Sequence, residues 1–174
     1  LFPYTTLFRS AEFIIRNYLI PFFAPELQRI RTISAGGVNN VEPTFSDLNR
    51  LALFLHLEPV YDSKTWVIVD GDDAGINTVQ KLTDKYKSWP QGSFAHFSEP
   101  MFEKYYPSQF SNQINEVLAI SAADKRRKSK EALLRQVIEW LDEDNVRAKN
   151  ALNESARDVI EHLLRIQEQI GKAN

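Results

Sequence analysis

The sequence predicts an α/β fold, in which a parallel sheet is flanked by helices and followed by an all-helical C-terminal segment. The run 66–69 (Trp-Val-Ile-Val) is wholly apolar and ends in acidic residues, as expected of a strand buried on both faces of a parallel sheet. Strand-like and helix-like stretches alternate between residues 29 and 97, and this alternation indicates a layered fold with crossover helices. After about residue 108 only helical spacing remains.

Size and composition narrow the functional classes. The chain has 174 residues, 43% of them hydrophobic and 25% charged, which suffices for one core with a small helical appendage. A net charge of −2 excludes a global basic field, so any contact with nucleic acid has to be local or metal-mediated. The lack of cysteine excludes disulfides and thiolate metal sites and agrees with a cytoplasmic location. No apolar run approaches the roughly 20 residues of a membrane span, so we expect no membrane partner.

The first ten residues, LFPYTTLFRS, match the in-frame translation of a common short-read sequencing adapter at every position. We expect residues 1–10 to be an artefact and the gene to continue upstream of Ala11. A secretory signal is disfavoured, because the segment has no basic start and too short an apolar stretch. The expected organisation is therefore an artefact at 1–10, an α/β domain at 11–107 and a helical segment at 108–174.

The first half of the chain shows the predicted elements in order. Residues 12–23 have helical spacing, and prolines close this helix. Residues 29–34 are rich in β-branched side chains and stop at a Gly-Gly pair, which predicts a strand and a turn. The next helix opens near Pro43, and its apolar face carries Leu48, Leu51, Ala52 and Leu55.

The second half continues with strands at 66–70 and 93–97. The helix between them carries Ile76, Val79, Leu82 and Tyr86 on one face. Further on, two helical stripes have the spacing of helix-helix packing, and they favour a local helical hairpin over a long coiled coil. The first stripe is Leu133, Leu134, Val137, Ile138 and Leu141, and the second is Leu152, Ala156, Val159, Leu163, Ile166 and Ile170.

Three carboxylates follow the apolar run, in the order Asp70-Gly71-Asp72-Asp73. Ligands of open parallel sheets bind beyond the carboxyl ends of the strands, which is where Asp70 and Asp72 are expected. Clustered carboxylates repel one another unless a cation neutralises them, and Mg²⁺ or Mn²⁺ prefers oxygen ligands. The alternative is that Asp72 or Asp73 caps the following helix.

The pattern D-x-D-x-x-G after an apolar strand resembles the second motif of Toprim domains, which occur in primases, topoisomerases and nucleases of the overcoming-lysogenization-defect (OLD) family. Residues 33–37 (Ile-Ser-Ala-Gly-Gly) are similar to the segment before this motif in OLD-type domains. Residues 97–107 resemble the family's acidic segment, with Glu103 as the matching glutamate and Ser98 and Glu99 nearby. Residues 128–133 resemble its lysine-bearing helix. The resemblance covers residues 11 to about 141.

This resemblance implies a divalent-metal-dependent DNA endonuclease domain of an OLD-family protein. Two Mg²⁺ or Mn²⁺ ions would catalyse phosphodiester hydrolysis, held by Asp70, Asp72, Glu103 and Glu99. Glu103 and Lys130 would be catalytic, although Lys128 is an alternative for the family lysine. ATP would act only through an upstream ATPase module, because no G-x-x-x-x-G-K-[ST] loop occurs in this chain. The full-length protein would be a homodimer or larger oligomer.

The chain departs from the family pattern at its start. Toprim domains carry a first catalytic glutamate at the end of their first strand, and the adapter-like residues occupy that position here. Glu12 is a poor substitute, because no apolar strand precedes it and no glycine follows it. We therefore expect a fragment that lacks the first strand and has impaired activity.

Several alternatives stay open at this point. The basic run Lys125, Arg126, Arg127 and Lys128 is either a set of DNA phosphate contacts or a solvated helix start. The chain as a whole is alternatively a non-catalytic Toprim-like scaffold or dimerisation module, or a Toprim of primase or topoisomerase type. A phosphatase-like D-x-D site is disfavoured, because no hydroxyl residue follows the acids. The three tryptophans are expected in packing rather than in base stacking.

Overall fold

The computed structural model describes residues 10–57 and 64–172. The adapter-like residues 1–9 lie outside this range, as does 58–63. The chain forms two compact units. We call residues 1–32 with 102–167 the first unit and residues 33–101 with 168–174 the second unit, and we refer only to the described residues of each. The domain assignment at 11–107 and 108–174 rests on sequence pattern and stays a prediction.

The first unit begins with a helical stretch that confirms the helix expected at 12–23. It consists of helix α1 (Ser10–Ile14), a π-helical turn (Ile15–Leu19) and helix α2 (Ile20–Phe23). Its apolar face is buried through Ile14 and Leu19. The stretch ends at Ala24, and a 3₁₀ turn follows over Pro25–Arg29, as expected where proline removes a backbone donor.

The strand predicted at 29–34 is wrong. Residues 30–35 form neither helix nor strand, and the side chain of Ile33 is 64% exposed. The β-branched side chains favour extended backbone, but a strand forms only where a neighbour pairs with it and one face is covered. Here Thr32 instead donates a side-chain hydrogen bond to Glu12 at 2.7 Å.

The second unit contains helix α3 (Val41–Phe54), strand β1 (Val67–Val69), helix α4 (Asp73–Lys85) and strand β2 (Phe94–His96). The strands pair in parallel, with Val67 opposite Phe94 and Val69 opposite His96. This strand-helix-strand unit was expected from the sequence. Its core consists of Val41, Phe45 and Leu82, around which pack Ala35, Val67, Val69, Tyr86, Trp89 and Phe94.

The predicted fold class is wrong as a whole. The described residues are mostly helical, and their sheet has two strands, so it is not a Toprim-like sheet flanked by helices. The expected third strand at 29–34 is absent from the sheet. In addition, the three residues of β1 are all half-buried rather than fully buried, which corrects the idea of a central strand covered on both faces.

The remaining elements are helical: α5 (Ser111–Leu118), α6 (Ala123–Glu143), α7 (Asn145–Ser155) and α8 (Arg157–Lys172). Two 3₁₀ turns, Phe102–Tyr105 and Ser108–Phe110, precede them. The first predicted stripe lies on α6, where Leu133, Leu134, Val137 and Leu141 are buried. The second predicted stripe runs over two helices, because the backbone leaves the helical conformation at Ala156. Over the described ranges, no helix combines the length and the apolar composition needed to cross a membrane.

Two residues of α4 test the core of the second unit. Leu82 is fully buried and Ile76 is 44% exposed. We expect Leu82→Ala to lower the free energy of unfolding by about 2–5 kcal/mol, because it removes packed methyl groups and leaves a cavity. Ile76→Ala should cost less than about 1 kcal/mol. Urea unfolding followed by circular dichroism measures both, and equal costs would contradict the core assignment.

Candidate functional site

The candidate site of the second unit is the turn from β1 to α4, residues 70–72. Asp70 directly follows the last residue of β1. Both Asp70 and Asp72 are exposed to solvent. The turn therefore presents two carboxylates at the carboxyl end of a parallel strand pair. This is the position at which ligands bind in open α/β sheets.

Gly71 fixes this turn against the segment that follows β2. Its backbone N–H donates a hydrogen bond to the carbonyl oxygen of Glu99 at 2.8 Å. A Cβ atom placed on Gly71 would lie 2.2 Å from the carbonyl oxygen of Phe97, which is too close for any side chain. The turn and the downstream acidic segment are thus held together by backbone contacts that only glycine permits.

Asp72 caps helix α4. Its Oδ1 accepts a hydrogen bond from the backbone N–H of Gly75 at 2.7 Å, and its own backbone is extended. A Cβ atom on Gly75 would lie 2.0 Å from the carbonyl oxygen of Asp70, so a second close approach closes the turn. The capping role that the sequence left open for Asp72 is therefore present. It uses one carboxylate oxygen and leaves Oδ2 to bind a cation.

The structure divides the predicted metal ligands between the two units. Asp70, Asp72 and Glu99 belong to the second unit, whereas Glu103 belongs to the first. Within the described ranges, no three acidic or histidine side chains are grouped so as to hold a metal ion. Metal binding by Asp70, Asp72, Glu99 and Glu103 therefore stays a prediction.

The candidate site of the first unit is an ion pair between Glu103 and Lys130. Among the described residues, the buried polar or charged side chains are those of Ser93 and Glu103. Glu103 lies in the 3₁₀ turn Phe102–Tyr105 and is 3% exposed. Its Oε2 accepts from the ammonium of Lys130, on α6, at 3.1 Å. Its Oε1 accepts from the hydroxyl of Ser10 at 3.4 Å. The two residues predicted to be catalytic, 27 positions apart, are in direct contact.

Tyr106 adds a buried hydroxyl beside this pair. Its side chain is 1% exposed, and its hydroxyl meets no hydrogen-bond criterion among the described residues. Burial, and next the negative charge of Glu103, raises the pKa of Tyr106, whereas the neighbouring side chain of Ser10 acts in the opposite direction. A buried polar group without a protein partner is normally satisfied by water or a ligand.

The predicted DNA-contact residues Lys125, Arg126, Arg127 and Lys128 occupy the first turns of α6. Three of them are exposed and Arg126 is half-buried. None of the four forms an ion pair with another described residue. Their charges are therefore accessible to phosphate groups, and the choice between DNA contact and solvation stays open.

Sequence reasoning missed several polar contacts in the first unit. Tyr106 was treated only as part of a matching segment, and Ser10 was assigned to the adapter. The hydroxyl of Tyr105 donates to Asp158 at 2.6 Å, and that of Tyr18 donates to Asp142 at 2.6 Å. The available signal was the pair of tyrosines that follows Glu103 and Lys104, since buried tyrosines need partners.

Comparisons with protein-family models, with curated proteins and with solved structures found no match for this chain. Neither a family nor a fold relative is therefore assigned. The function has to be argued from the residues of the two units.

The close approach at Gly71 generates a testable prediction. We expect Gly71→Ala to lower the free energy of unfolding by about 1–3 kcal/mol, because the new methyl group must displace the backbone at Phe97. Gly171→Ala is the matched control. A Cβ atom there would meet nothing within 4 Å, and alanine favours the helix, so the change should be neutral or stabilising by up to about 1 kcal/mol. Denaturant unfolding of both variants measures the difference, and equal effects would contradict the role of Gly71.

The buried ion pair generates a second prediction. Lys130→Met should lower the free energy of unfolding by about 1–3 kcal/mol, because it leaves the Glu103 carboxylate buried without its cation. Adding Glu103→Gln should restore part of that loss, and the double-mutant cycle then gives the coupling between the side chains. Arg165→Met, at the exposed pair with Glu161, should cost under about 1 kcal/mol. Additive effects at positions 103 and 130 would show that the pair is not coupled.

Proposed function

We propose that this chain is a divalent-metal-dependent DNA endonuclease domain of the OLD-family type. The observation that carries the proposal is the turn 70–72, where Asp70 and Asp72 lie beyond the end of a parallel strand and are locked against the segment before Glu103. The sequence resemblance, at this motif and at Glu103 and Lys130, supports the reaction class. Only the chemistry of these residues is proposed, because the sheet of the described residues has two strands and is not Toprim-like.

Asp70 and Asp72 are suited to Mg²⁺ or Mn²⁺. Carboxylate oxygens are hard ligands, and an ion held by two of them keeps water molecules in its remaining positions. Asp70 and Asp72 would hold the ion, which would supply Lewis-acid activation of water for phosphodiester hydrolysis. The side chains are exposed, so a DNA phosphate can reach an ion bound at this turn.

Glu103 and Lys130 are proposed as the catalytic residues of the first unit. Lysine offers a cation that offsets the charge developing on a scissile phosphate. The carboxylate of Glu103 orients the ammonium of Lys130 through their 3.1 Å contact. The proposed role of Glu103 in holding a second ion rests on the family resemblance.

A second candidate function is a protein-binding scaffold or dimerisation module, and one observation favours it. The end of α3 exposes Leu51, Leu53, Phe54 and Leu55, with Phe54 79% exposed. Clustered exposed apolar side chains are characteristic of protein interfaces. A scaffold of this kind would need neither metal nor DNA.

Metal binding by the second unit is the direct test. Isothermal titration with Mn²⁺ should show binding to the wild type, and Asp70→Asn and Asp72→Asn should each weaken it by about tenfold or more. Asparagine at position 72 still caps a helix, so this variant removes charge while keeping the fold. Asp73→Asn is the matched control, because Asp73 neighbours the turn without belonging to the proposed ligands.

Plasmid nicking in Mn²⁺ by the full-length protein and its variants then tests the reaction, because the activity of these 174 residues alone is expected to be impaired. Nicking should fall in Asp70→Asn, Asp72→Asn and Lys130→Met and persist in Asp73→Asn. If nicking by the wild type equals that by Asp70→Asn, the nuclease proposal fails. If Lys130→Met still binds metal but no longer nicks DNA, the metal-binding role of the second unit is distinct from the catalytic role of the first.

A further inference from the structure

We infer that a groove of the second unit binds a nucleobase together with its neighbouring phosphate, as presented by a single strand of DNA. The groove lies between the C-terminal end of α4 and strand β2 and has a volume of about 440 Å³. It is lined by Tyr86, Lys87, Trp89, Gln91 and Phe94, among others. This volume falls within the range of roughly 300–1,000 Å³ that is usual for ligand pockets.

The aromatic rings of the groove are anchored in the core and remain partly accessible. Trp89 and Phe94 pack against Phe45, with ring centroids 5.0 and 5.2 Å away and edge-to-face geometry. Both side chains are only half-buried, although Phe45 itself is 3% exposed. The ring centroids of Trp89 and Phe94 are 6.2 Å apart, and the rings are tilted by 49° to one another. Rigid, half-exposed rings of this kind are the platforms on which bases stack in single-strand binding proteins.

The polar groups of the groove suit a phosphate and a base edge. Lys87 is exposed and forms no ion pair with any residue that the structure describes, so its ammonium is accessible to an anion. Asp84 also lines the groove, and its carboxylate accepts two hydrogen bonds of 3.1 Å from the amide of Gln80, along α4. Gln91 is exposed and offers an amide that can donate and accept. A cation beside aromatic rings matches the chemistry of a base and its phosphate.

The choice of DNA as the ligand rests on the proposed function, but binding in the groove requires no metal. The test is therefore made in buffer containing EDTA, by fluorescence anisotropy of a labelled oligo-thymidine strand. Trp89→Ala should weaken binding by about fivefold or more through loss of stacking. Trp89→Phe, which keeps a ring, should lose less. Lys87→Met should weaken binding and reduce the slope of log affinity against log salt by about 0.7.

Lys81→Met is the matched control, because Lys81 is an exposed lysine of α4 that does not line the groove. The affinity of the Lys81→Met variant for the labelled strand, and its circular dichroism spectrum, should equal those of the wild type. If free thymidine monophosphate displaces the labelled strand, the groove binds a single nucleotide. If only an unlabelled oligo-thymidine strand displaces it, the groove binds a DNA strand. Absence of binding, or equal affinity of the wild type, Trp89→Ala and Lys87→Met, would overturn the inference. Loss of Mn²⁺ binding at Asp70 would leave it unaffected.

Discussion

The close approach of two backbone segments at Gly71 is the constraint on which the candidate site of the second unit depends. Any side chain at this position would collide with the carbonyl oxygen of Phe97. The same residue donates to the carbonyl oxygen of Glu99, so the end of β1 and the segment after β2 are fixed together. Asp70 and Asp72 flank Gly71, so the contacts that fix the glycine also fix the backbone of both aspartates. A carboxylate pair is useful for binding a cation only when its geometry is set in advance, and the backbone contacts of Gly71 fix the turn that carries both residues.

The two units hold their acidic groups in opposite ways. In the second unit the carboxylates of Asp70 and Asp72 are exposed, where water screens their repulsion and a cation can enter. In the first unit Glu103 is buried, and transfer of its charge out of water is tolerable only with a nearby cation and donors. Lys130 and Ser10 supply these. The exposed pair is thus suited to exchangeable ions, whereas Glu103 is held by its contact with Lys130, whose side chain is only half-buried.

Local sequence pattern predicted the strand-helix-strand unit and most helices, because each has a clear period and clear ends. It failed at 29–34, where β-branched residues suggested a strand but pairing with a neighbour decides whether one forms. It also treated the stripe from Leu152 to Ile170 as continuous, since side-chain spacing does not reveal the backbone break at Ala156. For the site, it identified Glu103 and Lys130 by resemblance and could not show their contact. Tyr106 was missed, because a buried hydroxyl without a partner is a property of packing and not of spacing.

Helix capping and metal binding at Asp72 are compatible, and the first supports the second. The backbone N–H of Gly75 holds Oδ1 at 2.7 Å and so limits rotation of the carboxylate. Hydrogen bonds to ligand side chains orient those ligands in metal sites, and removing them commonly weakens metal binding by about 10–100-fold. The partial positive charge at the start of α4 reduces the electrostatic pull of Asp72 on a cation. A carboxylate that begins a helix directly after a strand is therefore a structural cap, and it would be preoriented as the proposed ligand. The same geometry explains why the two interpretations of Asp72 could not be separated from the sequence.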